Sequence, residues 1–220
     1  MEFDLSLVYN SIPLLIKGAG VTLEITALSV GLGLIVGLFL GLGQLAKTNF
    51  LRWPCKVYVD VIRGTPLLVQ IFIIYFALPN IIGHRIDPFV AAVVACSLNS
   101  GAYVAEIFRA GIQSISLGQM RAGLSLGMTN AQTMRYIILP QAIKRIIPPL
   151  GNEFIAMLKD SSLVSVIGFE ELTRSGQLII AETYATMEIW TCVAILYLVM
   201  TLTITQLVGF VERRLRLVER

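Results

Sequence analysis

Five polar residues stand in stretches that are otherwise rich in apolar side chains: Asn99, Ser100, Glu153, Lys159 and Asp160. Ionisable groups are costly in hydrocarbon and are kept there when they pair or serve a function. Glu153 and Asp160 are seven positions apart, which on a helix places them on one face about 10 Å apart. That separation suits a small molecule bearing charge at both ends. Carboxylates so placed can receive an ammonium or guanidinium, while backbone amides, hydroxyls or Lys159 can receive a carboxylate. In the competing reading Lys159 pairs with Glu153 or Asp160 and fixes the helix end. The sequence leaves both open. Asn99 and Ser100 add uncharged hydrogen-bonding groups near the middle of another apolar run.

Other chemistry lacks its residues. The pattern G-x-x-x-x-G-K-[ST] does not occur, so the chain is not expected to bind or hydrolyse ATP itself. It has one histidine, His84 beside Arg85 in a connecting loop, and no Ser-His pairing. Cys55, Cys96 and Cys192 are far apart and lack metal-ligand spacing, so neither a metal nor a cofactor is expected. The net charge of +3 follows arginine-rich loops and does not point to nucleic acid. Any work done on a ligand must draw on a partner or an ion gradient.

The elements that position these groups are membrane helices. Hydrophobic residues make up 56% of 220 positions and charged ones 14%, against about 25% charged in a soluble domain. Mean hydropathy is +0.79. Ile189–Val211 carries no charge, and Val21–Ala46 only Glu24, which can reach the interface. A bilayer-crossing helix needs about 20 such residues. The patterning predicts an all-α integral membrane protein forming a single transmembrane domain over 1–220. Five spans are expected, at about 18–46, 56–82, 88–114, 141–160 and 187–211. Pro13 falls in an interfacial lead-in, and Gly64 and Pro66 break the second span. The fourth is the weakest by hydropathy, since it carries Lys144, Arg145, Glu153 and Lys159. Glu2 and Asp4 in place of a basic start argue against a cleavable signal peptide. Gly33, Gly37 and Gly41 keep small-xxx-small spacing, which admits another helix backbone.

Basic residues set the orientation. Lys47, Arg52, Lys56, Arg109, Arg121, Arg135, Lys144, Arg145, Arg213, Arg214, Arg216 and Arg220, twelve of the seventeen, collect on one side. That side is expected to be cytosolic, which puts the N-terminus outside and the C-terminus inside. Asp60 with Arg63, and Glu106 with Arg109, have i,i+3 spacing and read as internal pairs. Glu170, Glu171, Arg174 and Glu182 lie on an external segment. They mark either an interfacial helix or a contact for an external protein.

Between the third and fourth spans runs SLGQMRAGLSLGMTNAQTMRYIILP, residues 116–140. Ser116 with Gln119, and Thr129 with Gln132, fit capping boxes, and Gly127 suits the left-handed position that closes a helix. A helix of about three turns, a glycine joint and a second helix to Pro140 are expected. Such a loop either connects two spans or docks a partner.

This stretch resembles the signature of membrane subunits of ATP-binding-cassette importers. Ala122, Gly123, Gly127, Ile137, Leu139 and Pro140 fall on its frame, with Arg121 where the family usually has Glu. Val61–Leu67, Asn99–Tyr103 with Ala105-Glu106, and Pro149–Glu153 are similar to the branch that imports polar amino acids. The resemblance implies that the loop is a coupling helix in which Gln119, Arg121, Ala122, Gly123 and Gly127 meet an ATPase. It implies a substrate pocket with Leu67, Asn99, Ser100, Glu153, Lys159 and Asp160. The implied partners are two ATPase subunits that bind ATP and Mg, a second permease subunit (the same or a similar chain), an external substrate-binding protein, a polar amino acid and membrane lipid. The implied location is the bacterial inner membrane. The alternative is a secondary transporter with Glu153 and Asp160 as its ion site. The lack of an evident inverted repeat counts against it.

Overall fold

The computed structural model describes residues 5–217, with side chains to Arg214, and these form helices and their connections. Glu2, Asp4, Arg220 and the side chain of Arg216 lie outside the described residues. The first helix, α1, is Leu5–Gln44. Its 40 residues span about 60 Å, more than a whole bilayer of roughly 40–45 Å. It therefore begins well before the expected span, and Pro13 does not interrupt it. Proline removes one hydrogen bond, to the Tyr9 carbonyl, at a turn where Tyr9 is exposed.

After α1 come α2 (Asn49–Arg63), α3 (Leu67–Phe72), a π-helical turn at Ile73–Ala77 and α4 (Leu78–Ile82). Pro66 lies extended between α2 and α3, and the two halves of this span are bent by 104°. Next is α5 (Pro88–Gln113), capped by the Asp87 carboxylate, which accepts from the amides of Phe89 and Val90 at 2.9 and 3.3 Å. Then follow α6 (Leu117–Ser125), α7 (Asn130–Thr133), a π turn at Met134–Ile138 and α8 (Leu139–Asp160). A 3-10 turn at Ser161–Ile167 leads to α9 (Leu172–Thr183) and α10 (Thr186–Leu217).

Both π turns precede a proline, Pro79 or Pro140. Proline offers no N–H, and its ring crowds the carbonyl four residues back. The wider turn lets the residue before it bond five back instead, Leu78 to Ile73 O and Leu139 to Met134 O. Pro140 therefore does not end a helix, contrary to expectation. The chain stays helical from Asn130 to Asp160.

α1, α5 and α10 are each long and apolar enough to cross a membrane, and the bent pair 49–82 passes as one broken span. α8 does not, because it carries Lys144, Arg145, Glu153, Lys159 and Asp160. At the exposed end of the helix Arg145 donates to the Ser114 carbonyl at 2.7 Å, placing a cation at the C-terminus of α5. α5 is the central helix, with 61% of its most apolar window buried against 6% for α10. The glycine stripe of α1 packs on it. A Cβ at Gly37 would lie 2.5 Å from Val104 Cγ1 and 2.8 Å from the Gly101 carbonyl, and one at Gly41 2.9 Å from the Ala105 carbonyl. Ile25, Leu67, Ile71, Ala95 and Met157 close the core around this seam.

Glu171 does not fit the reading of its segment as a contact for an external protein. It is fully buried and caps α9, accepting from the amides of Thr173 and Arg174 at 2.9 and 2.8 Å. Its carboxylate also accepts from the Tyr197 hydroxyl at 2.9 Å, tying α9 to α10. Such a group is not available to an outside partner.

Candidate functional site

At the bend between α2 and α3 lies an open cleft of about 390 Å³. Arg63, Gly64, Thr65, Pro66 and Leu67 form one wall; Asn99 and Tyr103 of α5 form another, with Asp160 and Leu163 across from them. Gln70 ties the bend to α5. Gln70, 7% exposed, donates its amide to the carbonyls of Ile62 and Thr65 at 2.8 and 3.1 Å and to the Thr65 hydroxyl at 2.9 Å. Its own oxygen accepts from Asn99 Nδ2 at 3.0 Å. These bonds fix both amide orientations. Tyr58 adds a second tie, donating to the Leu98 carbonyl at 2.9 Å.

Leu67, Asn99 and Asp160 thus meet at one cleft. Ser100, Glu153 and Lys159 do not line it. Ser100 packs against α1, where a Cβ on Gly33 would be 2.9 Å from its own Cβ. Its hydroxyl lies near the Glu153 carboxylate yet closes no hydrogen bond. Glu153 is buried at 9% exposure, whereas Lys159 and Asp160 are exposed. Among the described residues no ion pair within 4 Å joins Lys159 to Glu153 or Asp160.

Sequence reasoning missed Gln70, Tyr103 and the cleft-facing place of Arg63. Gln70 was legible as a polar residue inside an apolar run, since a buried amide must find partners. The expected Asp60–Arg63 pair is also replaced. Arg63 Nη1 lies 3.8 Å from Glu106 Oε2, because the bend carries its side chain towards α5. Glu106 and Arg109 do pair, with Arg109 Nε at 2.9 Å from Oε2 and a second contact through Nη2. Arg63 also borders a larger cavity of about 710 Å³, lined by Arg52, Lys56, Asp60, Glu106 and Arg109 among others.

The second feature is the exposed hairpin of α6 and α7. Gly127 has φ +79°, and the amides of Met128 and Gly127 bond the carbonyls of Gly123 and Leu124 at 3.1 and 3.0 Å. This is the Schellman closure that a left-handed glycine permits. Thr129 and Gln132 form a complete capping box. Ser116 and Gln119 do not. Ser116 accepts from the Gly118 amide at 3.2 Å, and the Gln119 side chain reaches Gln141 at 3.5 Å instead. Gln119, Arg121, Ala122 and Gly127 are exposed. Gly123 is buried, because a Cβ there would lie 2.6 Å from Thr133 Cγ2. It seats α6 on α7 and does not present a surface. Leu117 and Leu126, 74% and 81% exposed, leave apolar area at both ends of α6.

A bundle of apolar helices with a polar cleft at a broken span and a capped hairpin at one end defines a membrane translocation subunit. The chain belongs to the family of binding-protein-dependent transport system inner membrane components, whose model matches residues 30–217. It is 47% identical over 218 residues to the glutamine transport system permease protein GlnP of Escherichia coli (strain K12), covering 99% of this chain and 100% of that one. It is 41% identical over 216 residues to the arginine transport system permease protein ArtQ of Bacillus subtilis (strain 168), covering 98% and 99%. The crystal structure of an amino acid ABC transporter with histidines superposes with a TM-score of 0.93 at 48% identity, covering 97% of this chain and 100% of that one. The chain is therefore an inner-membrane component of a transport system.

Proposed function

We propose that this chain is the transmembrane subunit of an ATP-driven importer and forms the alternating-access pathway for polar amino acids. The observation that carries this reading is end-to-end similarity to permeases of glutamine and arginine transport systems. A cleft bearing both charge signs at the broken span supports it. Leu67, Asn99 and Asp160 contact the substrate there. Glu153, Ser100 and Lys159 lie behind or beside the cleft and set its field and shape. The exposed residues of α6, Gln119, Arg121 and Ala122, meet one of two ATPase subunits, which bind the ATP and Mg. Gly123 and Gly127 hold that helix in place. The whole of 1–220 acts as one domain. A second permease, the same chain or a similar one, closes the open side of the cleft, and a binding protein delivers substrate from outside. The basic residues around α6 favour a cytosolic C-terminus, and the exposed apolar face of α10 meets lipid.

Because ATP state changes ligand access, ligand must bias ATP turnover in return. The test is co-purification with an ATPase subunit, followed by vesicle uptake with ATP supplied or withheld. Uptake that persists without nucleotide and collapses with the proton gradient would favour an ion-driven transporter and overturn the proposal.

A further inference from the structure

An α-amino acid presents an ammonium, which needs acceptors, and a carboxylate, which needs donors. The cleft supplies acceptors, the exposed Asp160 carboxylate and, in its wall, the amide of the nearly buried Asn99. Lys159, the cation nearest to them in sequence, does not line it. Among the lining residues the cation is Arg63.

The surroundings of Arg63 leave its guanidinium available. It lies over the Tyr103 ring at 5.2 Å, an arrangement that orients a cation without using its N–H donors. Its ionic partner Glu106 is at 3.8 Å, beyond hydrogen-bond length. Glu106 already receives two donors from Arg109, through Nε and Nη2. Among the described residues Arg63 has no hydrogen bond, and its side chain is 39% exposed. It is also the last residue of α2, at the 104° bend, with the cleft on one side and the 710 Å³ cavity on the other. A planar fork of unspent donors matches a carboxylate in a way a lysine does not.

We infer that Arg63 receives the α-carboxylate of the transported amino acid, with Glu106 as the internal carboxylate that competes for it. Ligand then draws the guanidinium into the cleft, and its return to Glu106 accompanies passage into the larger cavity. This inference rests on the proposed amino-acid substrate and adds to it the residue that reads the carboxylate.

The test uses the full permease–ATPase complex in lipid nanodiscs without the external binding protein. Equilibrium binding is measured for L-arginine and L-glutamine and for their decarboxylated counterparts, agmatine and 4-aminobutanamide. In the unaltered complex at least one amino acid should bind about ten- to a hundredfold more tightly than its counterpart, the range expected for a charge-assisted contact. Arg63→Gln should erase that preference by weakening the amino acid and not the amine, while Arg63→Lys should keep part of it. Equal weakening of both ligands, or unchanged preference, would overturn the inference and leave the proposed function standing. Binding of neither amino acid by the unaltered complex would overturn both. Should Arg63→Gln fail to assemble, Glu106→Gln tests the competition. Tighter amino-acid binding with unchanged amine binding supports it, and unchanged or weaker amino-acid binding counts against it.

Discussion

The hairpin of α6 and α7 and the cleft at the α2–α3 bend are held together in opposite ways. The hairpin closes through neighbours: Thr129 and Gln132 cap each other three residues apart, and Met128 bonds back to Gly123. Most of its residues are exposed. The cleft closes across the fold: Gln70 meets Asn99 over 29 positions and Tyr58 meets Leu98 over 40, with Gln70 and Asn99 nearly fully buried. Bonds that span little sequence and face water can change without disturbing the rest. Buried bonds between distant segments cannot, because each broken one strands a polar group inside. A perturbed hairpin should therefore give an assembled but uncoupled protein, and a perturbed cleft a protein that fails to assemble.

The largest expected effect is that of Gln70→Leu. It removes the donor for the carbonyls of Ile62 and Thr65 and the acceptor for the Asn99 amide. The nearly buried Asn99 amide is then stranded, at a cost of about 1–3 kcal/mol, a large share of a typical margin of stability. The amount of monodisperse protein extracted from membranes should fall sharply, and uptake with it. Normal yield with normal uptake would show that the bend does not depend on this network.

Gly123→Leu should act next most strongly, and in the opposite manner. A Cβ at Gly123 already meets Thr133 Cγ2 at 2.6 Å, and over-packing costs about 1–3 kcal/mol. The strain falls on the seat of α6, so extraction should be near normal while ligand-stimulated ATP turnover drops by about tenfold or more. Loss of the whole protein from the membrane would erase the distinction between the two regions.

The same contrast decides what the sequence could disclose. Gly127 and the Thr129–Gln132 box were legible because their partners lie a few residues away and the residue types themselves prescribe the geometry. The α1 glycine stripe was legible as a packing face, although its partner α5 was not. Glu153 and Asp160 share a helix face by spacing, but burial separates them: one is enclosed beside Ser100 and the other opens on the cleft. Arg63 was read as pairing one turn back with Asp60. Its actual neighbours, Tyr103 and Glu106, come from a helix whose placement depends on the 104° bend. No local rule reports that. Helix ends around Pro13 and Pro140 also misled, because an exposed carbonyl in one case and a π turn in the other absorb the missing N–H.

Within the cleft region, Glu153→Gln separates field from structure. The group is buried but does not line the cleft, so its negative charge would favour a cationic ligand at a distance. Uptake of arginine should fall several-fold more than uptake of glutamine, and equal losses would mean that the residue serves packing alone.

The smallest effect belongs to Gly127. Nothing lies within 4 Å of a Cβ built there, so only its φ of +79° resists a side chain. For Ala the left-handed conformation costs about 1 kcal/mol, while Asn visits it more readily. Gly127→Ala should therefore lower ligand-stimulated ATP turnover by a few-fold at most with assembly intact, and Gly127→Asn should recover most of it. If Asn is as impaired as Ala, the loss cannot be backbone strain and must come from a side chain intruding on the face where α6 meets its partner. That outcome would place Gly127 in the contact itself and extend the docking surface from the exposed side of α6 to the joint that closes it.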